Sequence, residues 1–174
     1  MPDNFSMTSS PLNQALSNVT ALKGCSSETL KRIEQEGEKI VFGIGHSLSV
    51  KSIVPNRILL ILNGKVRLLS NYNDKLHSLA LLGPGALIGL PSLLRGVGCE
   101  DVSAATMIEA WSIPDTLIAE IYKQDSYFNS WCNNNLFPAE LASLLEFLLN
   151  QSERPPSSLL EILRKALPTS QALK

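Results

Sequence analysis

The residues of this chain with side chains suited to chemistry are few. There are two histidines, His46 and His77, and three cysteines, Cys25, Cys99 and Cys132. One adjacent acidic pair, Glu100-Asp101, follows Cys99 directly. A catalytic metal in a β-barrel needs three or four converging nitrogen or oxygen ligands. Two distant histidines do not supply that set, so no metal site and no metal-dependent catalysis are expected. A reactive thiol needs a cationic neighbour to lower its pKa. Glu100 and Asp101 do the reverse to Cys99, which reads as a small apolar residue. Cys132, beside Trp131, reads as core or interface. The acidic pair suits a cation, but reads more simply as a solvated loop. Lys65 and Arg67 share one face of a strand and point to solvent. Gly83-Pro84-Gly85 is a turn, and no G-x-x-x-x-G-K-[ST] phosphate loop occurs.

The elements that must position these residues follow from composition. The chain has 174 residues and a net charge of −1, which argues against nucleic-acid binding, normally marked by a basic excess. Hydrophobic residues make up 44% and charged ones 18%, enough apolar material for a core with some left for a partner. Three well-separated cysteines without a Cys-x-x-Cys pair point to reduced thiols and a cytoplasmic setting. The polar start is no secretory signal, and no run of 18 apolar residues predicts membrane insertion.

Nine of the ten glycines lie between Gly37 and Gly98. Dense glycine suits short strands joined by tight turns, and its absence afterwards suits helices. A polar tail, 1–11, is expected to be disordered. A helix is predicted from Ser26 or Ser27, with Leu30 and Ile33 on one face and Gly37 as its stop. Strands follow at 39–42, 57–62, 65–69, 76–82, 102–106 and 110–113. Asn63-Gly64 is a strong signal for a type I′ hairpin, and a second hairpin is placed at Asn71–Asp74. Pro114-Asp115 opens a helix through Ile121, and Pro138 fits the first position of another. In that helix Leu141, Leu144, Leu145, Leu148 and Leu149 form a stripe, read first as a core-packing face and second as a dimer or partner interface. Ser158 to Glu161 has capping-box spacing for a last helix. The fold class predicted is mainly β: an eight-stranded jelly-roll (cupin-like) barrel with flanking helices over 12–122, then a helical extension over 123–174.

Phe42 with Gly45, the stretch Ile58–Leu69 around Gly64, Leu81–Gly89, Ser103–Ala105 and Ile113-Pro114 together resemble the cyclic-nucleotide-binding domain family. The resemblance covers about Leu12 to Tyr122. Within that family, Gly89–Leu94, Cys99–Ala105 and Leu136–Leu141 after Trp131-Cys132 look most like a domain fused to the N-terminus of cyanobacterial ABC exporters that carry a cysteine-peptidase domain. The resemblance implies a phosphate cassette: amides at the start of a short helix, an arginine on the cyclic phosphate and a glutamate on the ribose. Here the ribose glutamate falls on Leu90, an amide is lost at Pro91, the arginine falls on Cys99, and two small residues fall on Glu100 and Asp101. A lost arginine–phosphate contact forfeits roughly 1.5–3 kcal/mol. A carboxylate about 6 Å from the phosphate adds a few kcal/mol of repulsion. Cyclic nucleotide is therefore disfavoured as ligand.

The candidate degenerate pocket comprises Gly89, Leu90, Pro91, Ser92, Cys99, Glu100, Asp101 and Ser103. The function expected is a non-enzymatic sensor or docking domain without cofactor, the input module of an ABC-type exporter. Its partners would be the parent exporter, other protein domains, or a second copy through the C-terminal helices. Two alternatives stand beside it: the ligand-sensing domain of a transcription regulator without its DNA-binding part, and a true cyclic-nucleotide binder. A small cupin-like enzyme fails on the histidine count.

Overall fold

The computed structural model describes residues 10–72, 75–151, 161–162 and 165. Two short helices come first. Helix α1 (Pro11–Ser17) starts at the last residue assigned to the polar tail, with the Ser10 hydroxyl accepting from Asn13 N–H. Helix α2 (Ser27–Glu36) is capped by Ser26, whose hydroxyl accepts from Thr29 N–H. It stops at Gly37, though not in the left-handed conformation a stop glycine often adopts, since φ there is −88°. Gly37 is required for a different reason. A Cβ there would lie 2.1 Å from Trp111 Nε1, which donates to Ile33 O across the gap.

The strands are β1 (Glu38–Phe42), β2 (Ser47–Ser49), β3 (Arg57–Asn63), β4 (Val66–Tyr72), β5 (Lys75–Leu82), β6 (Leu87–Ile88), β7 (Asp101–Ala104) and β8 (Ile108–Pro114). Helix α3 (Leu90–Arg95) lies between β6 and β7. Helices α4 (Asp115–Gln124), α5 (Ser126–Asn134) and α6 (Pro138–Gln151) follow β8. The strands form two antiparallel sheets, in the orders β1-β8-β3-β6 and β2-β7-β4-β5.

The continuous apolar run of β3 is explained by burial on both faces. Ile58 and Leu60 pack with Leu16, Leu22, Ile33, Ile118 and Phe128 in a helical cluster outside the first sheet. Leu59 and Ile61 face Val66, Leu68, Val102 and Ala104 of the second sheet. A strand wanted on both faces sits inside its sheet, flanked by partners.

That position overturns the expected Asn63-Gly64 hairpin. Strand β3 pairs with β6 and β8, whereas β4 pairs with β5 and β7. Asn63-Gly64 therefore carries the chain from one sheet to the other. Gly64 has φ +93°, and a Cβ on it would meet Met107 O at 2.3 Å, where the β7–β8 connection runs alongside. Turn chemistry alone does not distinguish a hairpin from a sheet-switching corner. The second expected hairpin forms, with Tyr72 opposite Lys75; residues 73 and 74 of its turn lie outside the described residues.

Helix α6 differs from its expected orientation. Among its described side chains the buried ones are Ala139 and Ala142, against the second sheet, while Leu144 is 55% and Leu148 47% exposed. Leu141 is half-buried beside Leu79 and Ala142. Leu144 and Leu148 of the leucine stripe therefore do not face the core. Small residues let the helix lie close to β4, and polar pins fix it there. Glu146 accepts from Lys51 Nζ and Ser70 Oγ, Glu140 pairs with Arg95, and Ser143 Oγ donates to Cys99 O at 3.1 Å. The side chains at 145 and 149, and the capping-box residues from 158 to 160, lie outside the described residues.

Candidate functional site

Helix α3 is the element on which the site is built. Its N-cap, Gly89, has φ +91°, and a Cβ there would press on Pro55 at 2.8 Å, so glycine is required twice over. Pro91 tolerates the first turn because its missing N–H would be orphaned there anyway. Gly96, with φ +66°, ends the helix after six residues.

The loop after α3 returns Cys99, Glu100 and Asp101 to that helix, each in a different way. Cys99 N–H donates to the buried Ser92 hydroxyl at 3.0 Å, and Cys99 Sγ lies 3.5 Å from the same oxygen. Burial pushes the Cys99 thiol up, Glu100 adds to this, and the Ser92 contact only partly opposes it. Cys99 is thus tied to α3 as a neutral thiol. Asp101 accepts from Lys51 N–H at 2.9 Å and begins β7.

Glu100 corrects the solvated-loop reading. It is 4% exposed, and its carboxylate accepts a short hydrogen bond from Gly89 N–H. Burial pushes its carboxyl up to about 7, and the Gly89 N–H and neighbouring Ser49 hydroxyl do not offset that. The Ser49 hydroxyl is itself buried without a hydrogen bond of sound geometry, so it acts on Glu100 by proximity.

Glu100 and Pro91 form part of the wall of a 160 Å³ cavity between the sheets and the C-terminal helices. Leu68, Ile88, Trp131, Asn135 and Phe137 contribute to its other walls. Trp131 and Phe137 meet edge to face, with centroids 5.7 Å apart and planes at 82°. Asn135 Oδ1 is shielded from water and unpaired.

The eight candidate residues therefore separate. Gly89 offers its amide, and Pro91 and Glu100 line the cavity. Leu90 is turned into the helical cluster, Ser92 and Cys99 hold each other, and Asp101 fixes the 50–52 turn. Ser103 sits mid-strand in β7, opposite Ser47 and Arg67. Sequence reasoning missed Asn135 and the aromatic wall. The only signal was the Trp131-Cys132 and Leu136–Leu141 pattern, which carries no contact information. Cys132 packs in the helical cluster, and burial pushes its thiol up to about 12.

Among the described residues, no group of three His, Cys, Asp or Glu side chains is placed to hold a metal ion. No helix among them is long and apolar enough to cross a membrane.

No protein-family model matches the sequence, and no curated protein matches it. Solved structures do match. A cyclic-nucleotide-binding protein from Geobacter metallireducens aligns with TM-score 0.60 and 21% identity, covering 76% of this chain and 97% of that one. The regulatory domain of Toxoplasma gondii protein kinase A, solved with cAMP, aligns with TM-score 0.59 and 13% identity over 63% of this chain. The regulatory subunit of a cAMP-independent protein kinase A from Trypanosoma brucei, solved as a mutant bound to cAMP, aligns with TM-score 0.56 and 17% identity over 68% of this chain. The chain spans 42% and 48% of the length of the latter two. The fold is that of cyclic-nucleotide-binding domains, a β-sandwich with flanking helices.

Proposed function

We propose that this chain is a non-enzymatic regulatory domain that does not answer to cyclic nucleotides. Its place would be cytoplasmic, as the N-terminal input module of an ABC-type exporter. One observation carries this reading: the Glu100 carboxylate occupies the Gly89 amide at the start of α3. In the resembled cassette, the amides at that helix start receive the cyclic phosphate. The internal carboxyl oxygen on the amide competes with an incoming phosphate, and its ionised form repels the phosphate in a site of low dielectric. Arg95, at the end of α3, is paired with Glu140 of α6 instead.

The two sheet orders support the finer reading of the sandwich as a jelly roll. The seat of α6 supports a route for the signal. Ser143 holds the carbonyl of Cys99, and Arg95 holds Glu140, so α3 and its loop are tied directly to α6. A ligand or partner that prefers one arrangement of this loop shifts the population of α6 positions, and the helix passes the change to a neighbouring domain or second copy. The exposed Leu144 and Leu148 suit the homodimer.

A thermal-shift titration with cAMP, cGMP and cyclic dinucleotides at millimolar concentration tests the reading. No shift is expected. A ligand at 100 times its Kd stabilises a fold by about 2.7 kcal/mol, so a clear shift would overturn it. The double variant Cys99→Arg, Glu100→Ala is expected to gain a cyclic-nucleotide response. Failure of this variant, while folded, to respond would show that the cassette is disabled elsewhere.

A further inference from the structure

The cavity under α5 and α6 has an unusual inventory. Its walls are largely apolar, and none of its lining residues is basic. Two acceptors belong to its lining residues: the Glu100 carboxylate, which accepts from Gly89 N–H with the Ser49 hydroxyl nearby, and the Asn135 carbonyl oxygen, which is buried without a hydrogen bond. A buried acceptor without a donor is costly, and a buried carboxylate with a single backbone donor costlier still. The nearby Trp131 and Phe137 rings present negative faces and positive edges. Such rings attract an organic cation. An anion would meet Glu100; a neutral hydrocarbon would leave both acceptors unsatisfied. An ammonium group has three donors and no acceptor, and it satisfies both.

We propose that this cavity binds a small apolar amine, its ammonium on Glu100 and Asn135 and its hydrocarbon body against Trp131 and Phe137. The volume of 160 Å³ admits one ring with a short chain. The inference rests on the domain being ligand-sensing, and it inverts the ligand charge that the fold suggests. Burial raises the Glu100 carboxyl to about 7, and a bound ammonium would lower it.

The test uses the full chain and calorimetric titration with butylamine and phenethylamine, with phenylacetate as the ring of opposite charge. At least one amine is expected to bind, and phenylacetate at least tenfold more weakly. Amine affinity rises between pH 6 and 8 as Glu100 ionises, which a purely structural glutamate would not produce. Glu100→Gln is expected to weaken binding at least tenfold and to remove that pH dependence. Ala139→Leu, which fills the cavity, abolishes binding; should it fail to fold, Asn135→Leu weakens binding and serves instead. The proposal is overturned if no amine binds at millimolar concentration, if phenylacetate binds equally, or if Glu100→Gln leaves the affinity unchanged. Each of those results leaves the nucleotide-free reading standing, whereas a cyclic-nucleotide shift would remove that reading without deciding this one.

Discussion

Two carboxylates in this molecule sit at opposite ends of the same physics. Asp125 joins α2 to α5. It accepts from Ser26 N–H at 3.0 Å, Thr29 Oγ1 at 2.8 Å, and Tyr127 and Phe128 N–H at 3.1 Å. Burial pushes its carboxyl up, but those four donors outweigh burial and hold it below the usual carboxylate range. Glu100 has one backbone donor in an apolar wall; burial wins, and its carboxyl rises to about 7. Asp125 has more donors and is less deeply buried than Glu100, and both differences favour its charged form. Size misleads here. The cleft beside Asp125 measures 380 Å³ against 160 Å³ beside Glu100, yet its carboxylate has no unmet need.

The helices at the Asp125 end should show the largest effect. Phe128 is fully buried among α1, α2 and β3 residues, so Phe128→Ala is expected to cost about 3–5 kcal/mol in chemical denaturation. A loss below about 1 kcal/mol would mean that α5 is not part of the core.

Glu100→Gln sharpens the contrast at the other end, with the opposite sign. The folded value, about 7, lies above the ordinary 4.5. Stability linked to Glu100 is therefore fully present below about pH 4.5 and lost as the pH rises through about 7. The variant should be more stable than wild type at pH 8, by up to about 3 kcal/mol, and should level that slope. Equal stability at pH 5 and pH 8 in the wild type would place Glu100 in water.

Asp125→Ala should be destabilising by about 1–2 kcal/mol at pH 7, the loss of a shared cap. The folded value here is depressed, so its contribution is present above the ordinary 3.8 and lost as the pH falls through the folded value. The gap between variant and wild type should narrow in acid. A gap that widens there would contradict the four-donor description.

The smallest stability effect is expected on the outward face of α6. Leu148→Glu should change stability by less than about 0.5 kcal/mol, because that side chain is exposed. Its effect should appear in sedimentation, with a wild-type dimer becoming a monomer. A wild type that stays monomeric at high concentration would remove the second copy as occupant of this face.

Much of the frame was legible in order along the chain. Ser26 caps α2, Pro114 precedes α4 and Pro138 opens α6, because caps and prolines act within a turn of themselves. Strands β2 and β6, of three and two residues, were not legible, since alternation needs more length than that. Asn63-Gly64 declares positive φ but not which strand comes next to β3. The leucines of α6 declare an amphipathic helix, but the side facing the barrel is chosen by Ala139, Ala142 and the pins at Glu140, Ser143 and Glu146.

By itself the sequence determined local conformation, the apolar content of a sandwich, and the residue types at 90, 91 and 99 to 101 that depart from the phosphate cassette it resembles. Each is a property of residue type at a position. Only the tertiary structure decided that Glu100 turns inward to Gly89 rather than outward to water. It also decided that Trp131, Asn135 and Phe137, more than 30 positions later, close the wall opposite. Burial and hydrogen-bond count are sums over neighbours from β2, β6, α3 and α5. A carboxylate's charge at neutral pH is set by that sum.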